Sequence, residues 1–307
     1  MKVGLHQTSI DSNWELLNGY NKVVPCPLCM DDNPKKTVFV VGDFEIVRCH
    51  ACNLMYLIPM PSPQVLNSIY EKGYYKNSDE SYGYYDYSDL EKMVKATYRR
   101  RFDCILRVVQ KKGGSHPSNV HEVGAALGYG LQEVSKILPQ ADFSASDVSP
   151  EAVAACNTAG FCAYESDCFG RPMGLTKHHD MVYAFDVIEH ISEPRVFVNW
   201  LAETLKPGGI AAVTTPDMMH PINRILGKKS PSIKVPQHVC YYSGETLAKL
   251  FGSRFTLLAD KWDFQNVSIG FLLSRLMHIL QIGGKVNFGG PEIIVPNGMK
   301  VFVFRKN

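Results

Sequence analysis

The sequence has no long apolar run and no strong excess of charge of either sign. Its 307 residues include 32 Lys and Arg and 30 Asp and Glu, a formal net charge of +2 at pH 7. Nucleic-acid binding needs a concentrated basic face, so we expect no nucleic-acid partner. Short basic runs at residues 99–101 and 228–229 are typical of solvated faces. The most apolar segment, IGFLLSRLMHILQIGG, is interrupted by Arg275, His278 and Gln281. It is too short to span a bilayer, which takes about 20 apolar residues, so we expect no transmembrane segment.

A secretory signal is also missing, because no charged stretch followed by an apolar one stands near the N-terminus. The nine cysteines are odd in number. Without a signal, they indicate a reducing compartment and thiols used for something other than disulfides. We therefore expect a cytoplasmic protein.

Four of the cysteines form two Cys-x-x-Cys pairs, CPLC and CHAC. They are Cys26, Cys29, Cys49 and Cys52. Each Cys-x-x-Cys turn points two thiolates at one centre, so the two turns together predict a structural Zn²⁺ site with four thiolates and no open position. Free thiols or disulfides are the alternatives. His50, inside the second pair, is expected to take no part.

The segment between the two pairs, TVFVVGDFEIVRC, predicts a hairpin that turns at residues 42–43. Asn53 follows the second pair, where a zinc knuckle favours a residue that tolerates left-handed backbone. Beyond it comes the turn-rich LIPMPSP and then a segment crowded with tyrosine. Seven of the fifteen tyrosines fall within residues 70–87. They predict either a loop packed by its rings or a lid whose phenols line a substrate pocket.

From residue 89 onward, helical and strand patterns alternate. A helical pattern beginning at residue 89 is followed by strand NVHEVG, helix 128–138, strand ADFSASD, helix 150–159, strand HDMVYAFD, helix 194–206, strand GIAAVTTP and a closing strand MKVFVFRK. This alternation predicts a parallel sheet with helices on both faces, whose ligands bind at the carboxyl ends of the strands. The closing strand is expected at an antiparallel edge.

The turn after the first of these strands, VHEVGAALGYG, lacks the G-x-G-x-x-G of a dinucleotide site. Counting from Gly124, the second and third glycine positions hold Ala126 and Tyr129. A phosphate-binding G-x-x-x-x-G-K-[ST] and a radical-cluster Cys-x3-Cys-x2-Cys are also missing. What is present is an acid, Glu122, two positions before the first glycine, and a second acid, Asp147, at the end of strand two. A carboxylate at the second position can accept from both hydroxyls of a ribose.

Three segments, in this order and spacing, resemble the class I S-adenosylmethionine (SAM)-dependent methyltransferases. They are EVGAALGYG, SDVSPEAV and FDVIEHISEPRVFVNWLAETLKPGGIAAVTTPD. The resemblance covers roughly residues 89–307. It implies a Rossmann-like α/β fold with a mostly parallel seven-stranded sheet, helices on both faces and an antiparallel last strand. The N-terminal half resembles a subgroup with a zinc-ribbon leader and a tyrosine-rich linker, whose members methylate sugars, polyketides or other small molecules on carbon or oxygen.

The resemblance implies that SAM is held at the carboxyl ends of the strands. The residues it implicates are Glu122, Gly124, Ala126, Gly128, Asp147, Val148, Asp167, Cys168, Phe185 and Asp186. Glu122 and its turn would hold the amino acid portion, and Asp167 would meet an adenine edge. The family usually has Gly or Cys-Gly where this chain has residues 125–126, and Ala126 fits there if its φ is negative.

If the acceptor is a hydroxyl or an acidic carbon, a base must take its proton. The candidates are Glu189 and His190, which follow strand HDMVYAFD, and His238 and Tyr241 in QHVCYYS. Histidines at comparable places are proposed bases in related sugar C-methyltransferases, so the two histidines rank equally, and each has a structural alternative. Some ubiquinone-pathway and small-RNA 2′-O-methyltransferases resemble a further variant. In it Asp186, Glu189, His190 and His238 hold a divalent ion that activates a diol or catechol.

These inferences divide the chain into a zinc-ribbon module (1–60), a linker or lid (61–88) and a methyltransferase domain (89–307) with insertions at 216–243 and 264–295. The expected function is methyl transfer to a small sugar, natural-product or quinone-like acceptor, with a homodimer possible. An RNA or protein methyltransferase that grips its polymer with the ribbon is the alternative. The chain has no Pro-Pro dipeptide, so the N/D-P-P-Y motif of base-methylating enzymes is absent. A third reading is a binding module without catalysis.

Overall fold

A computed structural model describes residues 19–21, 24–32, 35–70, 75, 87–167, 169–172, 178–279 and 290–307. The strands are β1 (Tyr20–Asn21), β2 (Lys35–Val41), β3 (Phe44–Cys49), β4 (Met55–Ile58), β5 (Met60–Pro61), β6 (Asn119–Val123), β7 (Asp142–Asp147), β8 (Cys162–Glu165), β9 (His179–Phe185), β10 (Leu205–Pro216), β11 (Cys240–Tyr241), β12 (Phe255–Ser268) and β13 (Glu292–Lys306). The α-helices are α1 (Pro63–Ile69), α2 (Glu91–Lys111), α3 (Tyr129–Ser135), α4 (Pro150–Thr158), α5 (Pro194–Thr204), α6 (Pro221–Leu226), α7 (Gly244–Phe251) and α8 (Ile269–Ile279).

A seven-stranded sheet in the order β12-β13-β10-β9-β6-β7-β8 forms the centre of the protein. Strands β6 to β10 run parallel, whereas β13 is antiparallel to both of its neighbours. The predicted α/β fold with an antiparallel last strand is confirmed. The expected place of that strand at the edge is wrong, because β12 lies outside it. Residues 301–304 of β13 are all buried, and a continuous apolar run of this kind suits an interior strand.

Helices cover both faces of this sheet. On one face, Phe102 and Ile105 of α2 pack in one apolar cluster with Val120 and Tyr183. Alternate residues of the same strands face the other way, where α5 and α7 pack against them. The predicted helix at 150–159 is present as α4, and the Ser149 hydroxyl caps it by accepting from the Ala152 N–H.

A second sheet, in the order β11-β4-β3-β2, joins the N-terminal region to the rest of the protein. Strands β2 and β3 form the predicted hairpin. Strand β11, from far along the chain, pairs with β4 through Cys240–Tyr56 and Tyr241–Met55. Ile46 and Leu57 of this sheet belong to the same core cluster as Phe251 of α7. One continuous apolar core therefore lies beneath both sheets.

The hairpin of β12 and β13 extends past the central sheet. Its register continues to the pair Ser268–Glu292, and α8 begins at the next residue. Within the expected insertion 264–295, residues 264–268 and 292–295 lie in this hairpin and residues 269–279 form α8. No described helix is both long and apolar enough to cross a membrane.

Candidate functional site

Glu122 lies at the centre of the site, near the carboxyl end of β6. Its side chain is fully buried. One carboxyl oxygen accepts from the Tyr183 hydroxyl at 2.8 Å, while Oε1 has no hydrogen-bond partner among the described residues. Burial raises the pKa of Glu122 to about 8, against the opposing effect of the hydrogen bond from Tyr183. A buried acceptor without a partner is costly, so the site is incomplete until a donor reaches it.

The turn after Glu122 alternates into left-handed backbone at Gly124, Ala126 and Gly128, with φ of 75°, 48° and 75°. The condition of a negative φ, under which Ala126 would fit without strain, is therefore not met. Its N–H donates to the Asp147 carboxylate at 2.8 Å, and this bond holds the turn in place. A Cβ on Gly124 would meet Val187 Cγ2 at 2.4 Å, so this position has no room for a larger residue.

Asp147, at the end of β7, is buried and oriented by the backbone. Its second oxygen accepts from the Ser149 N–H at 2.9 Å. Burial raises the pKa of Asp147 to about 6, although hydrogen bonds from the Ser149 and Ala126 N–H groups oppose the rise. Asp147 thus lies against the glycine turn, with the partly exposed Val148 beside it. Its ribose contact stays a prediction.

Asp167 lies beyond β8, on the same edge of the sheet. Its oxygens accept from the backbone N–H groups of Phe169 and Arg171, at 3.0 and 2.9 Å, and from the Arg171 side chain. The expected adenine contact would have to share this carboxylate with its own loop. Cys168 lies outside the described residues.

Asp186 follows β9 with a φ of 60°. Its side chain accepts from the Thr214 hydroxyl at 2.5 Å and from Arg101 at 3.0 Å. Arg101, only 3% exposed, also pairs with Asp263 at 2.7 Å. The expectation of a solvated basic run is therefore wrong for Arg101. Phe185 is buried beneath Arg101, with its ring centroid 5.3 Å from the guanidinium carbon. Its ring therefore supports Arg101.

His190 and His238 come together from two loops, with ring centroids 4.7 Å apart. The Val239 N–H donates to the Glu189 carbonyl at 2.8 Å and ties the loops together. Nδ1 of His190 lies 3.0 Å from the Gln237 carbonyl, and Nδ1 of His238 lies 2.8 Å from the Ser232 carbonyl. A carbonyl only accepts, so Nδ1 of His238 carries the proton and its Nε2 keeps the lone pair. Nδ1 of His190 meets both the Gln237 carbonyl and the Tyr70 hydroxyl, and a hydroxyl can donate or accept.

Glu189 completes this cluster. Ligand atoms of Glu189, His190 and His238 lie within 4.8 Å of one another. Burial, and then the charge of Asp186, raise the pKa of Glu189 to about 8. The structure leaves Asp186 out of the predicted ion-binding set, because Arg101 and Thr214 already hold its oxygens.

Tyr241 lies behind the histidines rather than beside an open face. It is 2% exposed, and its ring centroid is 6.2 Å from that of His238. Its hydroxyl has no partner among the described residues. In contrast, the Tyr70 hydroxyl lies 2.8 Å from Nδ1 of His190, so the tyrosine-rich segment reaches the cluster at its first residue.

Further rings pack around the glycine turn. Tyr87 stacks on Tyr129 at 5.8 Å, and Tyr75 meets Tyr87 edge to face at 5.5 Å. Both packing and lid readings of the tyrosine-rich segment remain predictions, since Tyr74, Tyr82, Tyr84 and Tyr85 lie outside the described residues. The Tyr98 ring lies over Gly130, where a Cβ would come within 2.1 Å of it. The sequence offered no signal for this contact beyond the helical pattern of α2.

The four N-terminal cysteines form a compact cluster at the second sheet. Sγ atoms of Cys26 and Cys52 are 3.5 Å apart, and those of Cys29 and Cys49 are 3.6 Å apart. A tetrahedron with Zn–S bonds of about 2.3 Å has edges of about 3.8 Å. The thiols therefore fit a tetrahedral ion. Asn53 has the expected left-handed backbone, with φ of 69°.

Comparison with known proteins agrees with this architecture. A family model described as a methyltransferase domain matches residues 93–254, more than half of the chain. No curated protein matches the chain.

Three solved structures are similar in fold. A chain of the complex between the Haloferax volcanii Trm112 methyltransferase activator and a methyltransferase is 11% identical, with 71% of this chain and 92% of that chain covered and a TM-score of 0.51. A SAM-dependent methyltransferase from Thermotoga maritima is 14% identical, with 72% and 94% covered and a TM-score of 0.47. The plantazolicin methyltransferase BpumL, in complex with SAH, is 13% identical, with 80% and 98% covered and a TM-score of 0.48. At these identities the likeness concerns the fold alone. The family match over the glycine turn, β9 and the histidine-bearing loop decides the class: the chain belongs to the methyltransferase domain family and is a SAM-dependent methyltransferase.

Proposed function

We propose that this enzyme moves a methyl group from SAM to an oxygen or carbon of a small sugar, natural-product or quinone-like molecule. One observation carries the proposal: two histidines and Glu189 converge next to the glycine turn. Val187 packs against Gly124 and lies three residues before His190, so the turn and the histidine cluster are neighbours. A proton acceptor beside the methyl donor is what a hydroxyl or acidic carbon requires.

The cofactor would be held by the residues around the turn. Glu122 Oε1, buried and without a described partner, suits the ammonium group of the amino acid portion. Asp147, fixed against the turn by two backbone N–H groups, suits the ribose hydroxyls. When bound, SAM supplies an already activated methyl group on a sulfonium. The protein then has to align the acceptor at about 3 Å and exclude water.

The histidines would take the acceptor proton. Since Nδ1–H of His238 is bound to a carbonyl, the free lone pair of that ring is on Nε2, and His190 would act through whichever nitrogen its contacts with Tyr70 and Gln237 leave unprotonated. The acceptor proton would pass to this lone pair as the acceptor takes the methyl group that bound SAM would supply. The products are the methylated acceptor and S-adenosylhomocysteine (SAH).

A divalent ion at the same cluster is the second candidate. Two imidazoles and a carboxylate with ligand atoms within 4.8 Å of one another, whose Nδ1 atoms lie beside carbonyls, form the donor set and outer contacts typical of a metal site. In this variant His190, His238 and Glu189 would hold the ion, which would acidify a hydroxyl or diol of the acceptor. The histidines would then be ligands rather than bases.

The cysteine cluster would hold a structural zinc ion. Burial raises the pKa of the Cys52 thiol to about 11, so without an ion the cluster carries protons that thiolate ligation would displace. With four thiolates the site has no open position for a substrate. Zinc would therefore stabilise the β2–β4 region and play no part in methyl transfer.

Methyl transfer from labelled SAM to a panel of sugars, phenols and quinols tests the proposed function. His238→Ala is expected to lower turnover at least about tenfold, with unchanged SAH affinity, because the lost group acts on the acceptor. His50→Ala, an exposed histidine in the ribbon, is the matched control and should retain full turnover. Unchanged turnover in His238→Ala would remove that residue from the mechanism.

Chelation separates the base from the ion. Under the base mechanism, turnover survives EDTA. Under the metal mechanism it is lost and returns with Mg²⁺ or Mn²⁺. Return with Zn²⁺ alone would assign the loss to the cysteine cluster instead.

A further inference from the structure

A groove of about 670 Å³ lies between α2 and the edge strand β12. Its floor is formed by aliphatic side chains, among them Val108, Leu258 and Val301, which pack on the core of the sheet. Arg101 stands at one end and pairs with Asp186 on its far side. The groove is therefore separate from the methyl-transfer site.

Five cationic side chains surround this floor. They are Arg100, Arg107, Lys111, Lys112 and Lys261. None of them makes an ion pair within the described part of the chain. Arg100 donates to the neutral Asn266 amide at 2.7 Å, and Arg107 donates to a carbonyl of its own helix. Asp263 is the acid among the described lining residues, and Arg101 already neutralises it.

The remaining cations of α2 contrast with these five. Lys92, Lys95 and Arg99 each pair with a glutamate. The same helix thus has paired cations outside the groove and unpaired ones along it. In a chain of net charge +2, this concentrates positive potential in one place. Like charges held together repel each other, and a ligand of opposite charge relieves that repulsion.

The shape and lining of the groove identify its occupant. Arg100 to Lys111 spans about 16 Å of helix, which equals about three turns of a helix lying alongside. An aliphatic floor between cationic rims complements a helix with an apolar stripe and flanking carboxylates. Single-stranded nucleic acid needs ring platforms for its bases. The lining residues that the structure describes offer two rings, Trp262, which is tilted against His220 with centroids 4.7 Å apart, and Phe264.

We infer that the groove between α2 and β12 docks an acidic amphipathic helix of a partner protein. The inference does not depend on the identity of the acceptor or on the role of the histidines.

Fluorescence anisotropy with a labelled helical peptide of about 15 residues, made of leucine on one face and glutamate elsewhere, tests this inference. The wild-type protein should bind it with a dissociation constant below about 100 μM at about 50 mM salt, and more weakly at about 300 mM. Lys111→Ala/Lys261→Ala should weaken binding at least about tenfold. Lys228→Ala/Lys229→Ala removes the same charge from an exposed turn outside the groove and should leave binding unchanged.

Three results would overturn the inference. One is equal binding by the two double variants, provided that both unfold at the wild-type temperature. Another is equal binding of a peptide with glutamine in place of glutamate. The last is tight binding of an oligothymidylate of about 15 nucleotides together with no binding of the acidic peptide.

Discussion

Glu122 is the residue whose chemistry depends most on its surroundings. Full burial raises its pKa to about 8, so in the free protein it is mainly protonated at pH 7. The carboxylate is the form that accepts from an ammonium group. The proposed contact with Glu122 therefore predicts that cofactor binding at pH 7 releases the Glu122 proton and that the affinity depends on pH.

The affinity for SAH is expected to rise from pH 6 to pH 8, by at most about tenfold per unit, and to level off above the pKa of Glu122. Below pH 8 the site has to lose a proton on binding, and above it the proton is already gone. Calorimetry across this range measures the effect. Glu122→Gln should bind more weakly and lose the rise, whereas Glu245→Gln, at a surface pair with Lys249, should keep it. A flat wild-type profile would contradict the contact.

Ala126 is the other residue of the turn for which the effect of one group, its methyl, can be measured. Its φ of 48° costs an L-residue about 1 kcal/mol, and glycine would remove that cost while adding a similar entropy loss on folding. We expect Ala126→Gly to change the unfolding free energy by less than about 1 kcal/mol and SAH affinity by less than about tenfold. Denaturant melts and calorimetry check both. A larger gain in affinity would show that the methyl group impairs the turn.

At the scale of elements, the pairing of β4 with β11 makes the cysteine cluster part of the enzyme's main core. Cys49 ends β3, and its neighbours in the cluster of apolar side chains include residues of α7 and β13. Loss of the proposed ion should therefore destabilise both sheets, because residues of both sheets pack in one apolar cluster.

Cys49→Ser is accordingly expected to lower the midpoint of thermal unfolding by more than about 5 °C, since each kcal/mol corresponds to about 2–4 °C in a domain of this size. Unfolding should remain one transition. Cys162→Ser, at an exposed free thiol of β8, is the matched control and should melt like the wild type. A separate early transition for the N-terminal region, or equal melting of the two variants, would contradict the shared core.

The elements themselves were predictable where one pattern dominates. The spacing of apolar residues predicted α2, and the alternation of strand and helix patterns predicted β7 and α4. The position of β13 was not predictable, because an apolar strand at the end of the chain has the same sequence pattern at the edge of a sheet and in its interior. Arg101 was missed because a run of three arginines resembles a solvated face. Only the packing of α2 on β9 and β12 shows that Arg101 points inward.

For the whole molecule, the sequence predicted the fold and the edge of the sheet at which the site lies, since three motifs mark the ends of β6, β7 and β9. It placed His190 and His238 together only in the divalent-ion variant, because their loops are far apart in sequence. It could not show that Nδ1 of each ring lies beside a carbonyl. Such details depend on how the loops pack.

The central claim is that the turn from Glu122 to Gly128 is a working SAM site despite Ala126. Titration calorimetry of the purified protein with SAH at pH 8 tests it most directly. We predict one site per chain with a dissociation constant in the micromolar range, about −8 kcal/mol, weakened by Glu122→Gln. No measurable binding at millimolar SAH would contradict the claim and would indicate a methyltransferase fold that has lost its cofactor.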